Sequence, residues 1–389
     1  MKATPGLFPR WGVVAGVTAA RVYLFVLLYL FFLTTDFRKD RNVFLFQGEG
    51  QSRENREAEI QGSFRERLGP FDGQFYLDIA NKGYRTISSS IHGDLGNYAF
   101  FPLLPAALAT VRGAFPTAYI PLTIALAFAA GIIGTLTLWK LAQRCGTSPL
   151  LAVGALLFFP SAPFQSVLYN EGIALCLSGL ALIYALEGKP WRTACFGLLA
   201  GLTRPQGALL AIPAFVEFLL PAMKEGRRGS RAPLGAWFSV CAPLVGFAVM
   251  AIVSQQVSGS PTAFLTVQAK WGRTYEAGGI FKAIASVFGY EGPPMDLLGL
   301  FVGVGCIPLM WKRLPLSLSL YGIGAVLMPL LTGSILSLGR FMSISLPHIL
   351  ALAIFLQGRG RATRVVLLVT FLVLQSLLAR GLIGWYFVG

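Results

Sequence analysis

The sequence predicts an all-α polytopic membrane protein, and three observations carry that prediction. Of 389 residues, 55% are hydrophobic and only 13% are charged, where soluble domains carry about 25% charged residues. The apolar residues lie in long runs rather than in strand-like alternation, so an outer-membrane barrel is not indicated. At about 20 residues per crossing, this length allows roughly ten to twelve spans with short loops. A soluble Rossmann enzyme, a β-sandwich and a disordered chain are excluded on the same grounds.

The first apolar run, about Trp11 to Leu33, follows basic residues as a signal peptide would. It is long for such a segment and no small-x-small cleavage site follows, so it is expected to remain as the first span. The stretch 34–98 is different in kind. It holds ten of the seventeen acidic residues and nine Lys or Arg, and is expected to form the first extracytoplasmic loop, with amphipathic helices lying on the membrane surface.

From Ala99 onward the chain is almost continuously apolar. Candidate spans are 99–115, 118–139, 149–168, 170–187, 192–205, 207–222, 233–254, 294–311, 315–333, 341–357 and 365–388. Between them lie Lys140/Arg144, Lys189/Arg192, Lys224/Arg227/Arg228/Arg231, Lys312/Arg313 and Arg359/Arg361/Arg364, and all five clusters read as cytoplasmic. The loop 254–295 then falls outside, on the same side as 34–98. If 99–115 crossed fully, Lys140 and Arg144 would be misplaced. That segment is short and carries Pro102 and Pro105, so a re-entrant or half helix is expected there. The expectation is one integral membrane domain over 1–389, with eleven or twelve hydrophobic helices.

The net charge of +15 comes from these loop clusters, which argues against a nucleic-acid partner. Cys145, Cys176, Cys195, Cys241 and Cys306 lie in or next to apolar segments and have no disulfide or zinc spacing. His92 and His348 are too few for a histidine-rich metal centre. His92 and Asp94 read as solvated loop residues.

Polar residues inside apolar segments are costly and therefore candidates for function. In Gly69-Pro-Phe-Asp-Gly-Gln-Phe-Tyr76, a helix starting after Pro70 places Asp72, Phe75, Tyr76 and Ile79 on one stripe, which would face lipid or the bundle mouth. Asp72 either works chemically there or simply favours a helix first turn. Tyr169-Asn-Glu171 stands at the outer end of a helix, where Glu171 alone would read as a structural acid paired with an arginine. Thr203-Arg204-Pro-Gln-Gly207 breaks a long apolar stretch between two helices, and Arg204 could be a snorkelling anchor. Gln268-Ala-Lys-Trp-Gly-Arg273 could bind phosphate or sit among lipid headgroups. Gly339-Arg340-Phe341 opens a further apolar segment. Acids accept protons from hydroxyls, and arginines hold phosphate and stabilise a departing charge. The sequence contains no Asp-x-Asp pair, Walker loop or Gly-rich dinucleotide turn. A phosphate donor handled by arginine rather than by a divalent metal is the consistent expectation, with no cofactor.

Phe71-Asp72-Gly-Gln-Phe-Tyr76, followed by Ile79-Ala, Gly83-Tyr84 and Ala99-Phe-Phe-Pro102, resembles the first-loop signature of the PIG-V-type mannosyltransferases. Tyr169-x-Glu171, Thr203-Arg-Pro-x-Gly207, Gln268-x-x-Trp271 and Arg340-Phe341 with Pro347 match in order, so the similarity spans about residues 11 to 350. Phe71 stands where many members have Trp. The charge-dense stretch of about Asp36 to Arg67 has no counterpart in the family.

The resemblance implies a GT-C glycosyltransferase: a multi-span enzyme that uses a polyprenyl-phosphate sugar and inverts the anomeric centre at an active site facing the lumen or the outside. Carried over, Asp72 is the base on the acceptor hydroxyl. Arg204, Arg340, Arg273 and Lys270 are the candidates for the donor phosphate, Arg204 and Arg340 being preferred. Gln74, Tyr76, Tyr169, Glu171, Gln268 and Trp271 are the candidates for substrate contact. An aspartate in this role requires an arginine nearby, and a cleft beside Phe100-Phe101-Pro102 could take the prenyl chain. The short loops look bacterial, implying the cytoplasmic membrane and a lipid- or glycan-linked acceptor. The competing reading is a transporter or lipid flippase, which would show internal two-fold repeats, and none is evident. An O-antigen-type ligase would place its large outer loop late in the chain.

Overall fold

Among the described residues, six helices are long and apolar enough to cross a membrane: Trp11–Thr34, Tyr119–Arg144, Pro205–Met223, Leu234–Ser258, Pro294–Arg313 and Arg361–Ile383. The shortest has 19 residues, about 28 Å of helix, which matches a bilayer core. Leu103–Ala114, Glu171–Leu186, Leu316–Leu330 and Leu346–Gln357 are shorter apolar helices packed among them. The chain is thus an all-α polytopic membrane protein. The computed structural model describes residues 11–38, 44–48, 50–89, 93–226 and 233–388. His92 and the cluster Arg227/Arg228/Arg231 lie outside the described residues.

The half helix expected at 99–115 is present, and two other expected spans are broken. Segment 99–115 becomes the 12-residue helix Leu103–Ala114, about 18 Å long and too short to cross. Segment 149–168 breaks after Pro149–Leu157 into a 3-10 turn, Ala162–Ser166, because Pro160 and Pro163 remove the amide donors a continuing helix needs. Segment 341–357 is two helices, Leu338–Ser343 and Leu346–Gln357, the second with Pro347 in its first turn.

The best-packed pair is Tyr119–Arg144 against Glu171–Leu186, and its glycines set the approach. A Cβ on Gly134 would lie 2.7 Å from Leu175 Cγ, and one on Gly172 would lie 2.5 Å from the Ala127 carbonyl oxygen. Small residues at such crossings let backbones close in where no hydrophobic drive exists between helices. At one end of this pair Glu187 gathers Lys140 at 2.7 Å, Arg144 at 3.1 Å and Lys189 at 2.6 Å. The Ser148 amide donates to Gln357 Oε1 at 2.9 Å beside them, so three of the basic clusters share one end of the bundle.

The stretch 34–98 holds Arg53–Gly62, Phe64–Arg67 and Asp72–Lys82, followed by the hairpin Thr86–Ser89/Gly93–Gly96, which has the only strands among the described residues. Ser52 and Ser63 cap the first two helices through their hydroxyls. Asp72–Lys82 is not a surface helix as expected. Residues Gly73 to Ala80 are all buried and the helix packs against Leu103–Ala114, with Tyr76, Leu77 and Ala80 in the main core and Phe75 against Ile87 and Leu95 of the hairpin. Its second acid, Asp78, is fully buried and accepts from Arg85 Nη2 at 2.7 Å and Asn97 Nδ2 at 3.0 Å, which fixes the hairpin. The segment after Arg361–Ile383 returns to this region: Trp385 Nε1 donates to the Arg67 carbonyl at 3.2 Å, and the Arg38 amide donates to that of Gly384 at 3.0 Å.

Candidate functional site

At the top of Asp72–Lys82 the backbone is strained. Phe71, which precedes the helix, has φ 41° and ψ −101°, a region that costs a non-glycine residue about 1–3 kcal/mol. Only two other non-glycine residues among those described have positive φ: Ser337 at 62°, which precedes the helix carrying Arg340, and Trp385 at 62°, whose ring lies 6.2 Å from that of Phe71. Phe71 and Ser337 both line one cavity of about 430 Å³. Strain is therefore concentrated where two short helices present charged side chains to this space.

Those side chains form an alternating chain of charge. Arg340 Nη2 pairs with Asp72 Oδ2 at 2.9 Å, and Arg340 Nε pairs with Glu171 Oε1 at 3.0 Å. The second contact is ionic rather than an aligned hydrogen bond, since Nε has no acceptor in hydrogen-bonding geometry. Glu171 Oε1 also accepts from Arg204 Nη1 at 3.3 Å. The Asp72 amide donates to the Tyr169 hydroxyl at 3.4 Å. The Glu171 side chain is 1% exposed and that of Asp72 is 26% exposed. Asp72 is therefore the carboxylate that meets the cavity, and Glu171 is the buried counter-ion behind the arginines.

Three guanidinium groups surround the Phe341 ring, with Arg204 at 4.9 Å, Arg273 at 5.5 Å and Arg340 at 5.8 Å from its centroid. Arg204 and Arg340 have carboxylate partners. Arg273 has none among the described residues: it donates to Gln268 Oε1 at 3.3 Å and to the Leu336 carbonyl at 3.1 Å. Burial, reinforced by the like charge of Arg340, pushes Arg273 down to about 10, so it is cationic at neutral pH and the least compensated charge of the cavity. Burial, with Asp72 and Glu171 adding to it, pushes the Tyr76 phenol well above its ordinary value, and it faces the cavity as a neutral hydroxyl.

The opposite wall is aromatic. Phe75 stacks on Phe100 and on Phe44, each at 4.6 Å, and Trp271 stands edge-on to both Phe75 and Phe100. Phe101, Phe264 and Met328 extend this apolar lining.

Of the residues singled out in the sequence, Asp72, Tyr76, Tyr169, Arg204, Gln268, Trp271, Arg273 and Arg340 line this one cavity. Three do not. Gln74 is fully buried; its Nε2 donates to the Gly69 carbonyl at 2.6 Å and its Oε1 accepts from the Phe46 amide at 3.1 Å, so both of its polar atoms are engaged within the protein. Glu171 holds arginines from behind. Lys270 is exposed on the Val267–Trp271 turn, outside the cavity lining. Phe44, Ser337 and Phe387 line the cavity without having been singled out. Phe387 meets Phe71 edge-on at 5.7 Å, a contact between distant segments that no local pattern announces.

No group of three or more His, Cys, Asp or Glu among the described residues is placed to hold a metal ion. Comparison of the chain with known protein families, curated proteins and solved structures gives no match. The arrangement joins one accessible carboxylate, an uncompensated guanidinium and an apolar aromatic wall. It can accept a proton, hold an anion and bind a hydrocarbon chain.

Proposed function

We propose that this chain is a GT-C-type glycosyltransferase. It moves a sugar, with mannose the first to test, from a polyprenyl-phosphate donor to an acceptor hydroxyl. The observation that carries the reading is that, among the described residues, Asp72 is the only carboxylate lining a cavity whose other charged lining side chains are three arginines. Asp72 accepts the acceptor's hydroxyl proton as its oxygen attacks the anomeric carbon. The bond from that carbon to the phosphate oxygen breaks, and polyprenyl phosphate leaves with the electron pair, so the centre inverts. A proton acceptor positioned in this way contributes about 10²–10⁴-fold. Arg340 fixes the direction of Asp72 Oδ2. Arg273, rather than the preferred Arg204 or Arg340, is the residue with charge to spare for the phosphate. The Phe75–Phe100–Trp271 wall is suited to the prenyl chain.

In this reading the cavity faces away from the basic end of the bundle. By the distribution of basic loops that is the outer face of a bacterial cytoplasmic membrane, and the acceptor is lipid- or glycan-linked. The test is sugar transfer by the purified protein in detergent. Polyprenyl-phosphate-mannose and a lipid extract are supplied with and without EDTA, beside Asp72→Asn. Transfer that survives EDTA and is lost in Asp72→Asn supports the assignment. Transfer at wild-type rate by the variant removes Asp72 from the mechanism, and movement of the intact donor across a vesicle membrane without transfer favours the transporter reading.

A further inference from the structure

The charge-dense segment without a family counterpart forms, with Thr117, Tyr119 and Ile120, an open second cavity of about 400 Å³, within the range of about 300–1,000 Å³ typical of small-molecule sites. Its polar wall is one connected network. Gln51 Nε2 donates to Glu59 Oε2 at 3.0 Å, Arg56 Nη1 reaches Glu59 at 2.8 Å and Glu66 at 2.9 Å, and Arg65 Nε reaches Glu66 at 2.9 Å. Two arginines and two glutamates leave the wall formally neutral, with both cations paired. An anion would have to break these pairs to bind, unlike at Arg273. Glu59 remains 40% exposed toward solvent, and Arg56 Nε is buried with no acceptor among the described residues. Phe46 and Tyr119 complete the wall with aromatic rings. Carboxylate and amide acceptors beside aromatic faces in an uncharged pocket are the chemistry that recognises a hydroxyl-rich, uncharged ring: hydroxyls donate to the carboxylates in charge-assisted bonds, and the rings cover the apolar face.

Two separate segments tie this cavity to the first. Phe44 lines the first and Phe46 the second, two residues on. Arg65 and Glu66 line the second, while Phe71 and Asp72, just beyond, line the first. We propose that the second cavity binds an uncharged sugar unit of the acceptor glycan, remote from the hydroxyl presented to Asp72. Its role as an acceptor subsite rests on the glycosyl-transfer reading. Its affinity for neutral sugar does not.

The test uses the full chain in detergent and measures binding of mannotriose and maltotriose by saturation-transfer NMR, with inorganic phosphate as competitor. The variants are Glu59→Gln and Tyr119→Ala, each checked for monodispersity. A trisaccharide should bind the wild type without competition from phosphate. Its affinity should fall about tenfold in Glu59→Gln and in Tyr119→Ala, as expected for loss of one charge-assisted contact or one stacking face. Binding of neither trisaccharide, equal affinity in both cavity variants, or displacement by phosphate would overturn the proposal. Sugar binding at this cavity with no sugar transfer would remove the transfer reading and leave the subsite. Transfer to a glycan acceptor with unchanged KM in both cavity variants would remove the subsite alone.

Discussion

Arg340 Nη2 lies 2.9 Å from Asp72 Oδ2, joining the first helix turn after Pro70 to a short helix far along the chain. The same guanidinium meets Glu171 with its Nε at 3.0 Å. A planar fork can serve two carboxylates in different directions at once, which an ammonium cannot do with fixed geometry. Asp72 is thereby aimed at the cavity by a residue that is itself anchored from behind.

Arg340→Lys should therefore keep the charge and lose the alignment. Transfer is expected to fall at least about tenfold, since small displacements of a catalytic group are costly. Arg340→Gln leaves the buried Glu171 with Arg204 alone and should cost about 3–5 kcal/mol, the range for breaking a buried pair. Thermal unfolding in detergent beside the transfer assay separates the two effects. Wild-type activity in Arg340→Lys would show that Asp72 needs no such alignment.

Asp72 and Glu171 should respond in opposite ways. Asp72→Asn removes a partly exposed carboxylate, so stability should change by less than about 1 kcal/mol, while transfer falls about 10²–10⁴-fold. Glu171→Gln withdraws the counter-ion from Arg204 and Arg340 at once and should lower stability by about 3–5 kcal/mol. Comparable unfolding temperatures for the two variants would contradict this division of roles.

Arg273→Gln removes the one lining guanidinium that has no carboxylate partner among the described residues. Because no buried acid is left behind, unfolding should shift little, while KM for the polyprenyl-phosphate donor rises about tenfold or more, the scale of a lost charge-assisted contact. An unchanged donor KM would return the phosphate to Arg204 or Arg340.

Much of this was legible in the sequence because the relevant signals are local. The cost of polar residues in apolar runs pointed to Asp72, Glu171, Arg204 and Arg340 individually, and prolines marked the half helix at Leu103–Ala114. What was not legible depends on tertiary packing. Lys270 lies on the Val267–Trp271 turn and Arg273 just after it, and only backbone placement turns Arg273 inward and Lys270 out. Gln74 lies on the expected helix, but the Phe46 amide and the Gly69 carbonyl use its polar atoms. The spans 149–168 and 341–357 read as continuous because hydropathy does not register where prolines and a serine pair end hydrogen bonding.

Glu187 sets a pH dependence at the basic end of the bundle. Burial raises its carboxyl, but hydrogen bonds from Lys140 and Lys189 outweigh this and hold it below the usual range. A depressed folded pKa contributes stability that is present above the unfolded value, about 4.3, and is lost as pH falls through the folded value. The unfolding temperature of the wild type should therefore exceed that of Glu187→Gln at pH 6, and the gap should close below pH 4. A gap independent of pH would mean that the carboxylate charge contributes nothing there.

Arg21 is a buried cation within a membrane span, and its replacement tests whether it is structural. It lies about 15 Å into Trp11–Thr34 and is wholly buried, with Nε donating to Thr135 Oγ1 at 2.9 Å. Nη1 and Nη2 have no hydrogen-bond partner among the described residues. Gly131 makes the space, since a Cβ there would sit 3.3 Å from Arg21 Cζ. A buried charge without a counter-ion is expensive, and replacing buried charges by apolar residues of similar size is often neutral or stabilising by about 1–4 kcal/mol. Arg21→Met should therefore raise the unfolding temperature and leave sugar transfer unchanged, because Arg21 does not line the cavity of Asp72. Gly131→Val should lower the unfolding temperature by forcing the guanidinium aside. A loss of transfer in a stably folded Arg21→Met would instead show that this arginine acts on the site from within the bundle.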